Sequence, residues 1–158
     1  MHFSKLSLLS LAALTPLASA VGKAIITNRC DFDVYVTDVG STAGNAQKIA
    51  AGKSFSEPFR RDPKTGGIAL KLTRDQDGLY TGDPQLNFAY ALNGGGRLFY
   101  DLSAVFGDPF PGEIIKVQSS DGNCPKICWP NGEYPGGNQT HDCDDDANET
   151  LVLCAAKC

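Results

Sequence analysis

The chain has 158 residues, of which 42% are hydrophobic, with 14 basic and 18 acidic side chains and a formal net charge of −4. That is the composition of one globular domain, and it has no basic excess with which to neutralise the phosphates of a nucleic acid. After the first twenty residues no apolar run approaches the roughly 20 residues that a bilayer-crossing helix needs, so no membrane span is expected.

The N-terminal stretch reads as an export signal. His2 and Lys5 precede an apolar run from Leu6 to Leu17, and Ala18-Ser19-Ala20 supplies the small residues of a cleavage site. Residues 1–20 are therefore expected to be a secretory signal peptide, and 21–158 the exported, extracellular domain. Its removal takes one lysine and no acid, leaving the domain slightly more acidic. The last residues, Lys157-Cys158, are not the apolar tail of a lipid-anchor signal.

Beyond that point the chain reads as strands and turns. Lys23 to Thr27 is a short β-rich run, and Phe32 to Val39 alternates Phe32, Val34 and Val36 with polar residues. Comparable runs follow at Ser54 to Phe59, Ile68 to Leu72, Leu86 to Leu92, Leu98 to Leu102, Ile114 to Val117 and Thr150 to Leu153. Turn formers separate them, among them Asp62-Pro63, Gly66-Gly67, Asp77-Gly78, Asn93-Gly94-Gly95-Gly96, Asp108-Pro109 and Asn131-Gly132. Ser41 to Ala51, small and polar, reads as a mobile loop. No segment sustains a helical period for three turns, and no internal repeat is present. About eight short strands with frequent turns predict an all-β sandwich.

Six cysteines in an exported chain, at 30, 124, 128, 143, 154 and 158, imply up to three disulfides. If all six pair, Cys30 must reach a partner in the C-terminal group, closing nearly the whole domain. Such a loop would be worth about 4 to 5 kcal/mol in the chain-entropy model. A zinc reading of Cys124, Cys128, His141 and Cys143 is disfavoured, because His141 and Cys143 are too close for a tetrahedral site and export favours oxidation. No metal and no cofactor is expected.

Three groups of residues carry a family resemblance. Gly22 to Cys30 with Asn28-Arg29-Cys30, leading into Val34-Tyr35-Val36, resembles the opening of thaumatin-like proteins. Leu98-Phe99-Tyr100-Asp101-Leu102-Ser103 resembles their Tyr-Asp-hydrophobic-Ser segment, and Leu151-Val152-Leu153-Cys154 their closing strand. Phe106-Gly107-Asp108-Pro109-Phe110, Cys124-Pro125 and Trp129-Pro130-Asn131-Gly132 bring the chain nearer to the small fungal branch, the antigenic thaumatin-like or yeast-phase-specific (CetA-like) secreted proteins. The resemblance covers all of 21–158. It implies a thaumatin-like β-sandwich, secretion and association with the fungal cell surface. It also implies the pairs Cys30 with Cys154, Cys124 with Cys143 and Cys128 with Cys158.

Larger plant relatives in that resemblance carry an acidic cleft, and some hydrolyse β-1,3-glucan. Glycoside hydrolysis takes two carboxyl groups about 5 to 10 Å apart. Here Asp101 matches one cleft acid by motif. The next falls at Phe106, with Asp108 two residues on, and the cleft glutamate falls near Ala89. Asp101 and Asp108 are thus the catalytic candidates, and the ordinary reading of Asp101 is a turn-capping residue. Ser residues find no triad, since His141 is the one histidine after the signal.

Three further features belong to the C-terminal third. Asp142, Asp144 and Asp146, within the acid-rich stretch 141–149, echo alternate calcium ligands but lack the loop's glycine and spaced glutamate, so a solvated acidic loop is expected. Asn138-Gln139-Thr140 and Asn148-Glu149-Thr150 are N-glycosylation sequons. Trp129 and Tyr134, among prolines and glycines, offer an aromatic platform for sugar rings, against the commoner alternative of core packing. The expected function is non-catalytic action at or near the fungal cell wall through polysaccharide or protein contacts. The alternatives are a weak β-1,3-glucanase using Asp101 and a secreted ligand for a host or surface protein.

Overall fold

The computed structural model describes residues 20–158, so all but the last residue of the expected signal peptide lies outside the described residues. Alternating side chains build its two sheets. Eleven strands form: β1 (Lys23–Asn28), β2 (Val34–Val39), β3 (Gln47–Ile49), β4 (Ser54–Pro58), β5 (Gly67–Thr73), β6 (Gln85–Leu92), β7 (Arg97–Val105), β8 (Ile115–Ser119), β9 (Ile127–Trp129), β10 (His141–Asp144) and β11 (Glu149–Leu153). One sheet has the order β4-β1-β11-β8-β9 and the other β10-β7-β6-β5-β2-β3. Among the described residues only β1 and β11 pair in parallel; the other ladders are antiparallel. This is the all-β sandwich that the strand and turn pattern predicts.

In β6, Leu86, Phe88 and Tyr90 are buried between the sheets, while Ala89 and Ala91, between and beyond them, sit half-buried on the opposite face. That period of two is repeated in β5 and β7. Leu70, Leu72, Leu98 and Leu102 from the six-stranded sheet join Ile26, Ile115, Val117, Leu151 and Leu153 from the other in one core cluster. Each such side chain contributes about 1.5 to 3 kcal/mol when fully buried.

The motif residues have local reasons. Asn28 is fully buried at the end of β1; its side-chain amide donates to Phe32 O (2.8 Å) and Ile49 O (3.0 Å) and its oxygen accepts from Cys30 N (3.0 Å). An asparagine there satisfies three backbone groups of the β1 to β2 turn and of β3, which an apolar residue would leave buried and unpaired. Gly132 has φ +66°, and a Cβ there would sit 1.9 Å from Phe110 O. Only glycine fits that turn. Disulfides join Cys30 to Cys154, Cys124 to Cys143 and Cys128 to Cys158. The first ties the residue after β1 to the residue after β11 across 124 positions.

Two sequence expectations are corrected. Ser41 to Ala51 is not a plain loop, because Gln47–Ile49 forms β3 and Val39 bridges Ala43. With one buried apolar residue, Ile49, the strand exists through its backbone ladder to β2 and has no periodicity to announce it. The acid-rich stretch is likewise not all solvated loop: His141–Asp144 is β10, paired with β7. Its alternate acids face Arg97, whose Nε donates to Asp142 (3.1 Å) and whose Nη1 donates to Asp144 (2.6 Å). A short helical turn, α1 (Gly78–Thr81), occupies the expected Asp77-Gly78 turn.

Candidate functional site

The outer face of the six-stranded sheet is floored by small side chains. In register across it, Val39 faces Ala69, Ala69 faces Ala89 and Ala89 faces Asp101; one step along, Gly67 faces Ala91 and Ala91 faces Phe99. Because Gly and Ala project so little, the floor lies low between taller neighbours. The result is an open groove of about 610 Å³.

Its two walls are fixed by polar contacts. On one side stands the segment carrying Arg61, Thr65 and Gly66. Asp62 organises it, accepting from Thr65 N (2.8 Å), Ser41 N and Oγ (both 2.9 Å) and Lys64 N (2.9 Å). These bonds, led by those from the Thr65 and Ser41 amides, hold the Asp62 carboxyl well below the usual carboxylate range. On the other side stand Phe99, 40% exposed, with Asp101 and Thr140, whose hydroxyl donates to Asp101 Oδ1 (3.2 Å). Beneath the floor, Tyr90 packs edge-on against Phe59 and donates its hydroxyl to Glu57 (2.5 Å). Burial, reinforced by Glu57, pushes that phenol's pKa upward, so it stays a donor.

Asp101 is the one carboxylate among the described residues that line this groove. Opposite it, at the position where a cleft glutamate was expected, stands Ala89. Phe106, where the next acid was expected, is a 73% exposed side chain at φ +60°, just past the end of β7. Asp108 lies outside the groove lining and accepts from Tyr134 N (3.0 Å), which gives it a structural partner in the Pro/Gly-rich loop.

Trp129 corrects the platform expectation. It is fully buried in β9, its ring 5.5 Å from that of Tyr134 and its indole N–H directed to Gln139 Oε1 (3.4 Å). The large apolar surface of an indole flanked by disulfides goes to the core. Tyr134 remains 40% exposed, its hydroxyl donating to Gly137 O (2.6 Å). Cys124 and Cys143 lie near Asp121, but as a disulfide they offer no thiolate to a metal.

Sequence reasoning missed several residues that the fold brings together. In the sequence Phe99 is only one residue of the Tyr-Asp-hydrophobic-Ser segment, yet the ladder puts it on the outer face beside Ala91. Asn87 and Ser103 face each other one step along from Ala89 and Asp101, with Lys71 on the far side of Asn87. Asn87 is buried, and its carbonyl oxygen has no hydrogen-bond partner among the described residues. Period-two counting, carried through the β6 and β7 register, is the signal that could have placed all of these on one face. Glu149, counted as one of the solvated acids, is fully buried, with neither oxygen paired among the described residues. Burial pushes its pKa up to about 7 against a smaller opposing effect of Ser119, whose hydroxyl lies 3.4 Å from Asn148 O.

Comparison with known proteins agrees with this architecture. A crystal structure of the protein elicitor MoHrip2 from Magnaporthe oryzae matches 85% of this chain and 99% of that one, with TM-score 0.70 and 24% identity. The thaumatin-like xylanase inhibitor TLXI matches 84% of this chain and 99% of that one, with TM-score 0.55 and 13% identity. At those identities the likeness is one of fold. Among sequence relatives, an antigenic thaumatin-like protein of Arthroderma benhamiae is 29% identical, covering 95% of this chain and 81% of its own. The secreted thaumatin-like protein calA of Emericella nidulans is 28% identical, covering 99% of each. The family described as Blastomyces yeast-phase-specific protein, Bys1, matches residues 11–155. With its motif segments, two sheets and closing strand all inside that match, the chain belongs to the yeast-phase-specific family of thaumatin-like proteins.

Proposed function

We propose that this is an exported protein that acts at or near the fungal cell wall, holding a saccharide chain in the outer-face groove without cleaving it. Export is supported by the apolar leader, the disulfides and the name of the relative calA as secreted. The observation that carries the binding reading is the groove itself: a floor of Gly67, Ala69, Ala89 and Ala91 against the exposed ring of Phe99. A flat pyranose ring can lie close to such a floor and stack on the aromatic face, while Asp101, Thr140 and Arg61 offer hydrogen bonds to its hydroxyls. One carboxylate in the groove supplies half of the pair that acid-base cleavage uses, so binding is favoured over hydrolysis.

Pull-down on insoluble β-glucan, chitin and mannan, run beside a reducing-sugar assay, tests this. Retention without sugar release is expected. Release that Asp101→Asn abolishes would replace the reading with a glucanase.

A second reading, a ligand for a host or surface protein, has its own observation. Tyr80 in α1 and Phe106 after β7 are 76% and 73% exposed, and both lie where β6 begins and β7 ends. Large exposed aromatics are typical anchors of protein interfaces. Failure to bind any of the three polysaccharides would favour it.

A further inference from the structure

We propose that Asn138 carries an N-linked oligosaccharide and that this glycan overhangs the Asp101 wall of the groove. Asn138 is exposed, and its side-chain oxygen accepts the Thr140 N–H (2.9 Å), closing the sequon into a turn. That bond uses the carbonyl and leaves the amide nitrogen, the atom that glycosylation uses, without a partner among the described residues.

The turn is held in place. Gln139 Nε2 donates to Gly136 O (3.0 Å), and Gln139 Oε1 faces the N–H of the buried Trp129. The sequon's last residue, Thr140, lines the groove and donates to Asp101. A glycan on Asn138 is therefore anchored two residues from the groove wall, on a loop pinned to the core. The second sequon differs. Asn148 is half-buried, its side-chain oxygen accepts Lys23 N–H (2.9 Å), its own N–H donates to Ser120 Oγ (2.9 Å), and it is not a groove residue.

The transfer takes an oligosaccharide activated as a lipid diphosphate, the donor class of the export compartment. A bond forms from Asn138 Nδ2 to the anomeric carbon as that carbon's bond to the diphosphate oxygen breaks. The nitrogen loses one proton to a base, and the lipid diphosphate leaves with the bonding pair. Nothing is oxidised or reduced. The inference rests on the export part of the proposed function.

The test uses the full chain secreted from a fungal host. Peptide mass analysis before and after amidase removal of N-glycans should show an occupied Asn138, and Asn138→Gln should lose that mass. Hydroxyl-radical footprinting of intact protein then reads the groove with no ligand present. Phe99 oxidation should rise about twofold after glycan removal, as expected when a bulky surface modification is taken off, while Tyr80 and Phe106 at the sheet's other end stay unchanged. A secreted protein with unmodified Asn138 overturns the proposal and leaves the export reading intact. A protein retained in the cell contradicts both. An occupied Asn138 with unchanged Phe99 labelling overturns the overhang.

Discussion

The Trp129 loop and the Phe99 groove are made of similar parts, an aromatic ring beside small residues and a few polar groups, and the fold uses them in opposite ways. Trp129 ends a three-residue strand that carries the Cys128–Cys158 disulfide and follows the Cys124–Cys143 one, where the chain closes over the indole and directs its N–H to Gln139. Phe99 sits on the long strand β7, whose ladder forces its ring to the outer face beside Ala91. The difference teaches that ring type and loop composition do not decide exposure; the neighbouring elements do.

The largest expected effect lies on the buried side. Trp129→Ala should cost about 3 to 5 kcal/mol of stability, the range for truncating a buried large aromatic, and should leave polysaccharide binding by the folded fraction unchanged. Thermal melting and pull-down on the same variant measure both. Loss of binding with little loss of stability would erase the contrast.

Glu149 gives the packed side a pH signature. Its pKa is raised from the ordinary carboxylate value to about 7, so the folded state holds a proton that the unfolded chain releases near pH 4. Its contribution to stability is therefore most favourable below the unfolded pKa, falls as pH rises between about 4 and 7, and is at its least favourable above that. The loss amounts to about 3 kcal/mol. Glu149→Gln should flatten this slope and raise the melting temperature at pH 8 relative to the wild type. A variant with the same slope as the wild type would show that Glu149 is hydrated.

Smaller changes belong to the open side. Asp101→Asn should weaken saccharide binding by about 0.5 to 1.5 kcal/mol, the net worth of an ordinary hydrogen bond, with stability within about 0.5 kcal/mol of the wild type. Binding curves and melts on the same preparation check this.

Much of the sandwich could be read in advance from alternation, because β5, β6 and β7 are long enough to show a period of two and end in turns such as Asn93-Gly94-Gly95-Gly96. There Asn93 Oδ1 accepts from Gly95 N (2.8 Å) and Arg97 N (3.2 Å). The strands β3, β9 and β10 could not, since three or four residues carry no period and their places are set by ladders, disulfides and Arg97. At the groove, the sequence offered Asp101 and the alanine at 89 but not their neighbours. Phe99, Thr140 and the Asp62-held wall come from separate stretches, and only the assembled sheet puts them around one floor. Glu149 was misread, and Trp129 was left open between platform and core, for the same reason: local surroundings rich in Pro, Gly and Asp look like surface until strands pack over them.

The most direct test is Phe99→Ala, assayed for retention on the polysaccharide that binds the wild type, with a melting curve on the same sample. The groove account predicts binding weaker by about 1 to 3 kcal/mol and a stability change within about 0.5 kcal/mol. Full retention by Phe99→Ala would contradict it and move the binding site off the outer face.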